Sequence, residues 1–249
     1  MKIGASTLAG IEYKLENTLE FIEDLGLNYA ELVHQFPNES IDVELLENFN
    51  LKYSIHTPFM DVNIASLQNQ SRINAINQIK SSFKLANKID CESVVIHPGT
   101  IPFLANKYFR SKVIDVANKS MIELGGYGED LGVQTTFENM PQFDNMIYSN
   151  IEKLHEFLTD NNLSMTLDIG HAKHAGYSSE EMYFDSIKHI HIHDNFGDDD
   201  THLALGEGSI DLNHIVNTLE KNNYDGIYII EVNNYDSIKK SYEYMKKNF

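Results

Sequence analysis

Residues 164–194 have the sequence SMTLDIGHAKHAGYSSEEMYFDSIKHIHIHD, and this stretch carries the pattern that decides the fold. It begins with an apolar run that leads into Asp168-Ile169-Gly170-His171. It closes with a second run, from Ile187 to Asp194, in which isoleucines alternate with histidines. Only a short helical segment fits between the two runs. Strand-like runs joined by helical segments are typical of parallel βα units.

The same alternation extends along the rest of the chain and gives eight βα pairs. The predicted strands are Lys2–Thr7, Tyr29–Val33, Tyr53–Thr57, Ser93–Pro98, Gln134–Asn139, Ser164–Gly170, Ile187–Asp194 and Gly226–Val232. The clearest predicted helices are Lys14–Leu25, Ser71–Lys88, Phe109–Leu131, Ile151–Asn161, Asp211–Asn223 and Ser237–Lys247. Short helices are expected after strands two and six.

Chain length and turn chemistry favour closure of these strands into a barrel. The 249 residues match the usual size of one (β/α)8 barrel, and no Pro-, Gly- or Ser-rich linker interrupts them. The first strand is not followed by the Gly-x-Gly-x-x-Gly turn that an open dinucleotide-binding sheet would require. We therefore predict an α/β fold, a (β/α)8 TIM barrel, with residues 1–249 forming a single domain.

Composition limits where the protein is expected to be located and what it is expected to bind. No segment approaches the ~20 apolar residues of a membrane helix, and residues 1–7 resemble a strand rather than a signal peptide, so a cytoplasmic protein is expected. The formal charge of −18 argues against tight, sequence-independent binding to a nucleic acid backbone. Bound divalent cations would offset part of that charge. The single cysteine, Cys91, excludes an internal disulfide and a Cys-based zinc site.

Imidazole and carboxylate groups stand at the end of every predicted strand from the third onward, and in the loop after the seventh. In a TIM barrel the C-terminal strand ends meet at one mouth, where the chemistry collects. Nine residues are candidate metal ligands: His56, His97, Glu138, Asp168, His171, His191, Asp200, His202 and Glu231.

One metal centre explains the whole set of residues better than separate packing or capping roles do. A lone histidine at a strand end usually packs or forms a hydrogen bond, and a lone aspartate usually caps a helix. Burying several carboxylates and imidazoles in one mouth without a cation would cost several kcal/mol. The all-N/O ligand set indicates two or three zinc ions first, with Mn²⁺, Fe²⁺ or Mg²⁺ as alternatives.

Two assignments within the set depend on local periodicity and position. His189, His191 and His193 share one face of the seventh strand, and a strand end usually offers one or two such residues to a metal. We assign His191 as the ligand and place the other two behind it or in the packing. Asp200 is preferred to its neighbours at 198 and 199, although a slip of one or two positions stays open.

The strand-end motifs together resemble the xylose isomerase-like barrel superfamily, which includes endonuclease IV and many sugar isomerases and epimerases. The resemblance extends from His56 to Glu231, nearly the whole chain. It rests on the motifs His97-Pro98-Gly99, Glu138-Asn139, Asp168-Ile169-Gly170-His171, His191-Ile192-His193-Asp194, Asp200-Thr201-His202, Leu205-Gly206-Glu207-Gly208 and Ile230-Glu231.

The resemblance to endonuclease IV implies three zinc ions held by all nine candidates. By that analogy His56 and His97 serve the first metal, and Glu138 bridges it to the second. The second metal is completed by Asp168, His191 and Glu231, and the third is held by His171, Asp200 and His202. The sugar isomerases resemble this chain only at Glu138, Asp168, His191 and Glu231, which in that branch bind one metal.

Each branch implies a different reaction. The nuclease branch implies a phosphodiester hydrolase acting on abasic DNA or a small phosphorylated substrate, and the nine matching ligands make it our first expectation. The alternative is a sugar or sugar-phosphate isomerase or epimerase, with Glu138 and Glu231 as acid and base and His171 orienting the sugar. Candidate substrate contacts are Phe59, Asn139 and His193. A metal-stabilised binding module is a third, weaker possibility, and the sequence indicates no oligomeric state.

One departure from endonuclease IV weighs against DNA. That family carries an arginine-bearing stretch after the second strand, whereas residues 31–37 here are ELVHQFP, without a basic residue. The metal ligands therefore resemble the nuclease, while their surroundings resemble a small-molecule enzyme.

Overall fold

The computed structural model describes all 249 residues and confirms the predicted barrel. Eight parallel strands pair in sequence order, and β8 closes on β1. The strands are β1 Lys2–Ser6, β2 Tyr29–Val33, β3 Lys52–His56, β4 Val94–Ile96, β5 Thr135–Glu138, β6 Ser164–Asp168, β7 Ile187–Ile192 and β8 Ile227–Ile230. Each lies within one residue of its predicted start, and several end earlier than predicted.

Helices surround the barrel on its outer face. They are α1 Leu15–Asp24, α2 Val43–Leu46, α3 Asn69–Lys88, α4 Phe103–Tyr108, α5 Arg110–Leu131, α6 Ile151–Asp160, α7 Ile169–His174, α8 Leu212–Lys221 and α9 Tyr235–Asn248, with 3₁₀ turns at Thr7–Gly10 and Ser179–Glu181. The helices after β2 and β6 are short, as predicted. The short helix α4, in the loop after β4, was not predicted.

The core lies between the strands and the helices. The strands are buried almost throughout, which explains their continuous Val and Ile runs, because helices cover a parallel sheet on the outside. A single cluster of 47 buried residues joins the barrel to its helices. None of the helices has the length and hydropathy of a membrane-spanning segment.

The sixth strand ends two residues before the predicted boundary, and the reason lies in Asp168. Its carboxylate accepts a hydrogen bond from the backbone N–H of His171 at 2.7 Å and thereby caps α7. The chain turns into a helix at Ile169 instead of continuing as a strand. This turn places Asp168 and His171 side by side at the mouth of the barrel.

Candidate metal centre

The nine predicted ligands come together at the C-terminal mouth of the barrel, although they are spread over 176 residues of sequence. They form three groups in which the potential ligand atoms lie within 4.8 Å of one another. The groups are His56, His97 and Glu138; then Glu138, Asp168, His191 and Glu231; then His171, Asp200 and His202 with His193. Glu138 belongs to the first two groups.

In the first group two imidazole nitrogens face each other. The Nε2 atoms of His56 and His97 lie 3.1 Å apart, and Glu138 Oε2 lies 3.4 and 3.1 Å from them, respectively. His56 Nδ1 lies 2.8 Å from the carbonyl oxygen of Thr57, so its proton is held there and its Nε2 carries a lone pair. A cation between these atoms would satisfy all three.

In the second group three carboxylates converge on one imidazole. His191 Nδ1 lies 3.2 Å from Glu231 Oε2, 3.3 Å from Glu138 Oε1 and 3.9 Å from Asp168 Oδ2. Burial by itself raises the pKa of Glu138, but the charge of His191 and His97 outweighs it and holds the pKa well below its usual range. The pKa of Glu231 is likewise lowered, because His191 outweighs its burial. Both carboxylates are therefore ionised in the metal-free protein, where His191 is protonated.

The third group lies between α7 and the loop after β7. Asp200 Oδ2 is 3.2 Å from His171 Nε2 and 3.4 Å from His202 Nε2. Asp198 and Asp199 are exposed, so Asp200 is the aspartate that faces this group. Burial lowers the pKa of His202, but the hydrogen bond with Asp200 and the charge of Glu231 raise it to about 9.

Backbone carbonyl groups orient the remaining imidazoles toward the mouth. His171 Nδ1 lies 2.8 Å from the carbonyl of Asn139, and His202 Nδ1 lies 2.9 Å from the carbonyl of Glu231. Ligating histidines typically donate their second ring N–H to such an acceptor, which fixes the tautomer. Among the buried polar atoms without a hydrogen-bond partner are Glu138 Oε2, Asp168 Oδ2 and Asp200 Oδ1. Carboxylate oxygens of this kind are suitable ligand atoms for divalent cations.

A cavity of about 290 Å³ opens directly above the ligands. Its polar floor is formed by seven of the nine ligands, including Glu138 and Glu231. Its opposite wall is apolar, and none of the lining residues is Lys or Arg. The volume is at the lower end of the ~300–1,000 Å³ of small-molecule sites. The apolar wall consists of Leu8, Phe59, Val62, Met140, Pro141, Phe143 and Met146.

Of the three predicted substrate contacts, the structure places one in the cavity wall and two behind the ligands. Phe59 lines the cavity, and its ring stacks on that of His97 at a centroid distance of 5.1 Å. Asn139 is fully buried, where its amide donates to the carbonyl of Asp168 and its oxygen accepts from the N–H of Asp168. His193 is also fully buried, stacked on His202 and 3.1 Å from Asp168. These two residues support the ligands and do not line the cavity.

Two supporting residues were not singled out from the sequence. Gln35 is buried, and its Oε1 accepts hydrogen bonds from the N–H groups of Phe59 and Met60, which holds Phe59 over the cavity. Glu31 is a fully buried carboxylate on β2 that contacts His189 and His191. A glutamate inside an apolar strand, Tyr29–Val33, was the available signal for Glu31. Gln35 gave no comparable signal.

A closed parallel barrel with histidine and carboxylate groups at its mouth defines a class of metal-site TIM barrels. Within that class, the chain belongs to the Xylose isomerase-like TIM barrel family, whose model matches residues 19–248. The family predicted from the strand-end motifs is thereby confirmed.

Individual relatives in this family differ in their described activities. A solved D-tagatose 3-epimerase-like protein is 33% identical, has a TM-score of 0.90, and covers 100% of this chain and 97% of its own. An uncharacterised protein of Methanocaldococcus jannaschii is 33% identical over 99% of this chain and 89% of its own. A probable endonuclease 4 of Halothermothrix orenii is 24% identical over 63% of this chain and 62% of its own.

Proposed function

We propose that this protein is a divalent-metal-dependent epimerase or isomerase acting on small, unphosphorylated sugars. This conclusion reverses the order of the two branches expected from the sequence. It is supported by the similarity to a D-tagatose 3-epimerase-like structure over the full chain, and more directly by the chemistry of the cavity.

The observation that best supports this proposal is the placement of Glu138 and Glu231. Both carboxylates are buried, both contact Nδ1 of His191, and both line the same small cavity. Two carboxyl groups beside one substrate, one ionised and one protonated, can remove a proton from carbon and return another to the opposite face, which is what epimerisation next to a carbonyl requires. Because no Lys or Arg lines the cavity, a sugar without a phosphate is the better fit.

Glu138, Asp168, His191 and Glu231 would hold the metal used in this reaction. When bound, the metal would supply a Lewis acid that polarises the sugar carbonyl and its neighbouring hydroxyl. One of the two glutamates removes the proton from the carbon next to the carbonyl. The other glutamate, protonated in the substrate complex, gives its proton to the opposite face, which inverts that carbon and leaves the removed proton on the first glutamate. His171 lies beside them, where its Nε2 can orient a sugar hydroxyl.

The ligand types within the groups suggest different preferences for metals. Three carboxylates and one imidazole suit Mn²⁺, Mg²⁺ or Fe²⁺ as well as Zn²⁺, because carboxylate oxygen is a hard donor. The imidazole-rich first and third groups suit Zn²⁺. We therefore propose that the second group, which the epimerase would use, accepts several divalent ions, whereas zinc, our first expectation, would fill the other two groups only in a trinuclear hydrolase.

The apolar wall would exclude water from the reacting carbon. Phe59 is held in place by Gln35 and stacked on His97, so it forms a fixed apolar surface against which one face of a sugar can pack. Dry surroundings protect the deprotonated sugar from uncontrolled protonation by solvent.

The test is turnover in D₂O by metal-loaded protein. A panel of free ketoses and the corresponding ketose phosphates would be incubated with Mn²⁺-loaded protein and followed by NMR. We expect epimerisation of a free ketose with deuterium at the inverted carbon, and weaker turnover of its phosphate. Turnover of phosphorylated sugars alone would contradict the proposed substrate class, and no turnover of any sugar would contradict the proposed reaction.

A second candidate, a trinuclear phosphodiester hydrolase, is favoured by one specific observation. The nine predicted ligands form three groups, whereas a single-metal isomerase needs only one. No Lys or Arg lines the cavity, and the formal charge of the chain is −18. Both features argue against a DNA substrate.

Metal stoichiometry combined with an activity assay separates the two candidates. About one tightly bound ion per chain with sugar turnover supports the epimerase, and about three ions with cleavage of abasic DNA support the hydrolase. Asp200→Ala with His202→Ala should remove one ion and abolish phosphodiester cleavage if the hydrolase is correct. If the double variant keeps both the full number of ions and phosphodiester cleavage, the third site does not exist.

A further inference from the structure

Glu31 lies inside the barrel, beneath the metal centre rather than in it. It belongs to β2 and is fully buried. Its Oε2 accepts a hydrogen bond from Ser54 Oγ at 2.9 Å and lies 2.8 Å from His189 Nε2. Its Oε1 lies 2.8 Å from Nε2 of His191, close enough for a charge contact, although neither atom has an aligned hydrogen-bond partner. Two imidazoles and one hydroxyl are therefore the polar contacts of this carboxylate.

The contact with His191 distinguishes Glu31 from an ordinary packing residue. His191 turns its other nitrogen, Nδ1, toward Glu231 and Glu138 at 3.2 and 3.3 Å. The ring therefore stands between a carboxylate below and the ligand carboxylates above. Only one tautomer satisfies both sides of a metal-loaded ring, with the proton on Nε2 facing Glu31 and the lone pair on Nδ1 facing the metal position.

A second histidine extends this arrangement across the barrel. His189 is buried, and its Nδ1 lies 2.9 Å from Ser93 Oγ while its Nε2 faces Glu31. Removing a carboxylate from water costs several kcal/mol unless it is paired and hydrogen-bonded. An apolar residue would fill this position in the barrel interior at lower cost, so the carboxylate calls for a functional explanation.

We propose that Glu31 is a positioning residue that fixes the tautomer of His191 and strengthens it as a metal ligand. Its negative charge behind the ring makes Nδ1 more basic, as carboxylates behind ligating histidines generally do. The proposal rests on the metal group of the proposed function, but it concerns affinity for the metal and not the identity of the substrate.

The first test compares metal affinity in Glu31→Gln and in wild-type protein. Metal-free protein is titrated with Mn²⁺ and free Mn²⁺ is counted by electron paramagnetic resonance, with Asp168→Ala identifying the binding phase of the second group. We expect Glu31→Gln to weaken this phase by roughly 10- to 100-fold. An unchanged affinity would overturn the proposal.

Ser93→Ala is the matched control, because it removes a buried hydroxyl from the far end of the same network. It leaves Glu31 and its contact with His191 in place, so Mn²⁺ affinity should stay at the wild-type value. If Ser93→Ala weakens binding as much as Glu31→Gln, the effect reflects the stability of the barrel interior, and the proposal fails.

A measurement on wild-type protein keeps the proposal testable if Glu31→Gln does not fold. With ¹⁵N-labelled histidine and bound Zn²⁺, NMR should show His191 with its proton on Nε2 and slow exchange of that proton with solvent. A proton on Nδ1 would overturn the proposal. Because these readouts report affinity and tautomer, they can succeed when no sugar is turned over, and they can fail when the epimerase activity is real.

Discussion

Glu138 is the residue on which the centre depends most, because its two oxygens face different groups. Oε2 lies 3.1 Å from His97 and 3.4 Å from His56, while Oε1 lies 3.3 Å from His191. A carboxylate shared in this way ties two potential metal positions together. Its replacement should therefore disturb more than one ion.

Glu138→Gln should lower kcat for ketose epimerisation by roughly 10²- to 10⁴-fold, the usual range for loss of a general base. It should also weaken metal binding in both groups that share Glu138. Turnover in D₂O and a metal titration would measure the two effects. Glu156→Gln, an exposed change on α6, is the control. Full activity in Glu138→Gln would rule out its role as a base.

The raised pKa of His202 predicts that the free energy of unfolding of the metal-free protein falls as pH rises. In the folded, metal-free protein its pKa is raised to about 9, against an ordinary 6.5. The folded state therefore holds more protons than the unfolded state between these values, so the free energy of unfolding falls as pH rises from 6.5 to 9. The pKa values of His171 and His191 lie well above the ordinary value, because nearby carboxylates outweigh their burial, and they act in the same direction.

Urea unfolding in chelator across this pH range would measure the slope, which should reach at most about 1.4 kcal/mol per pH unit for each such histidine. His202→Gln should make it shallower. Saturating metal should flatten it, because ligated imidazoles carry no proton. A stability that rises with pH in the metal-free protein would contradict the assigned pKa shifts.

At the scale of elements, two short segments hold the third group in place. Helix α7 begins at the cap formed by Asp168, and Gly170 in its first turn lies directly against the ring of His193. The loop after β7 is fastened by Asp194, whose carboxylate accepts hydrogen bonds from the N–H groups of Gly206 and Gly208, each at 3.0 Å. Asp200 and His202 therefore reach the mouth from an anchored loop.

Gly170→Ala should destabilise the protein by about 1–3 kcal/mol, the usual cost of overpacking. An added Cβ would lie 1.9 Å from Cε1 of His193, whose ring is fully buried and stacked on His202. The matched control is Gly126→Ala in α5, where an added Cβ meets no atom within 4 Å. It should stabilise the helix by about 0.5–1 kcal/mol. Equal effects in urea unfolding would contradict the packing argument.

At the scale of the whole molecule, charge and cavity shape act together. The formal charge is −18, and the apolar wall of the mouth offers no cationic side chain to a phosphate. A polyanion would therefore meet repulsion over the surface and find no compensating contact beside the metal groups. A small neutral sugar meets neither obstacle.

We expect binding of duplex DNA with an abasic site to be weaker than about 10⁻⁴ M at physiological salt, the weak end of nonspecific affinities. Fluorescence anisotropy with metal-loaded protein would measure it, using an undamaged duplex of the same sequence as the control. Tight, site-selective binding of the abasic duplex would instead favour the hydrolase.

The sequence by itself predicted the barrel, which the structure confirms, and the nine candidate ligands, which the structure brings together at the mouth. Strand-like runs that alternate with helical segments indicate a parallel sheet, and Asp168, His171 and His191 stand out because polar residues rarely end such apolar runs. Strand ends were less predictable, because the cap of Asp168 on α7 depends on a turn in three dimensions. Helix α4, which has no side-chain cap, was also missed.

Only the tertiary structure showed the distances within each group and which residues face the cavity. The two-residue period places His191 and His193 on one face of β7, and only the structure shows that Nδ1 of His191 faces three carboxylates while His193 stacks on His202. Sequence position also gave no view of the cavity wall, whose residues come from separate loops. The physical reason is that periodicity fixes the side of a strand on which a residue lies, whereas contacts between strands arise only when the barrel closes.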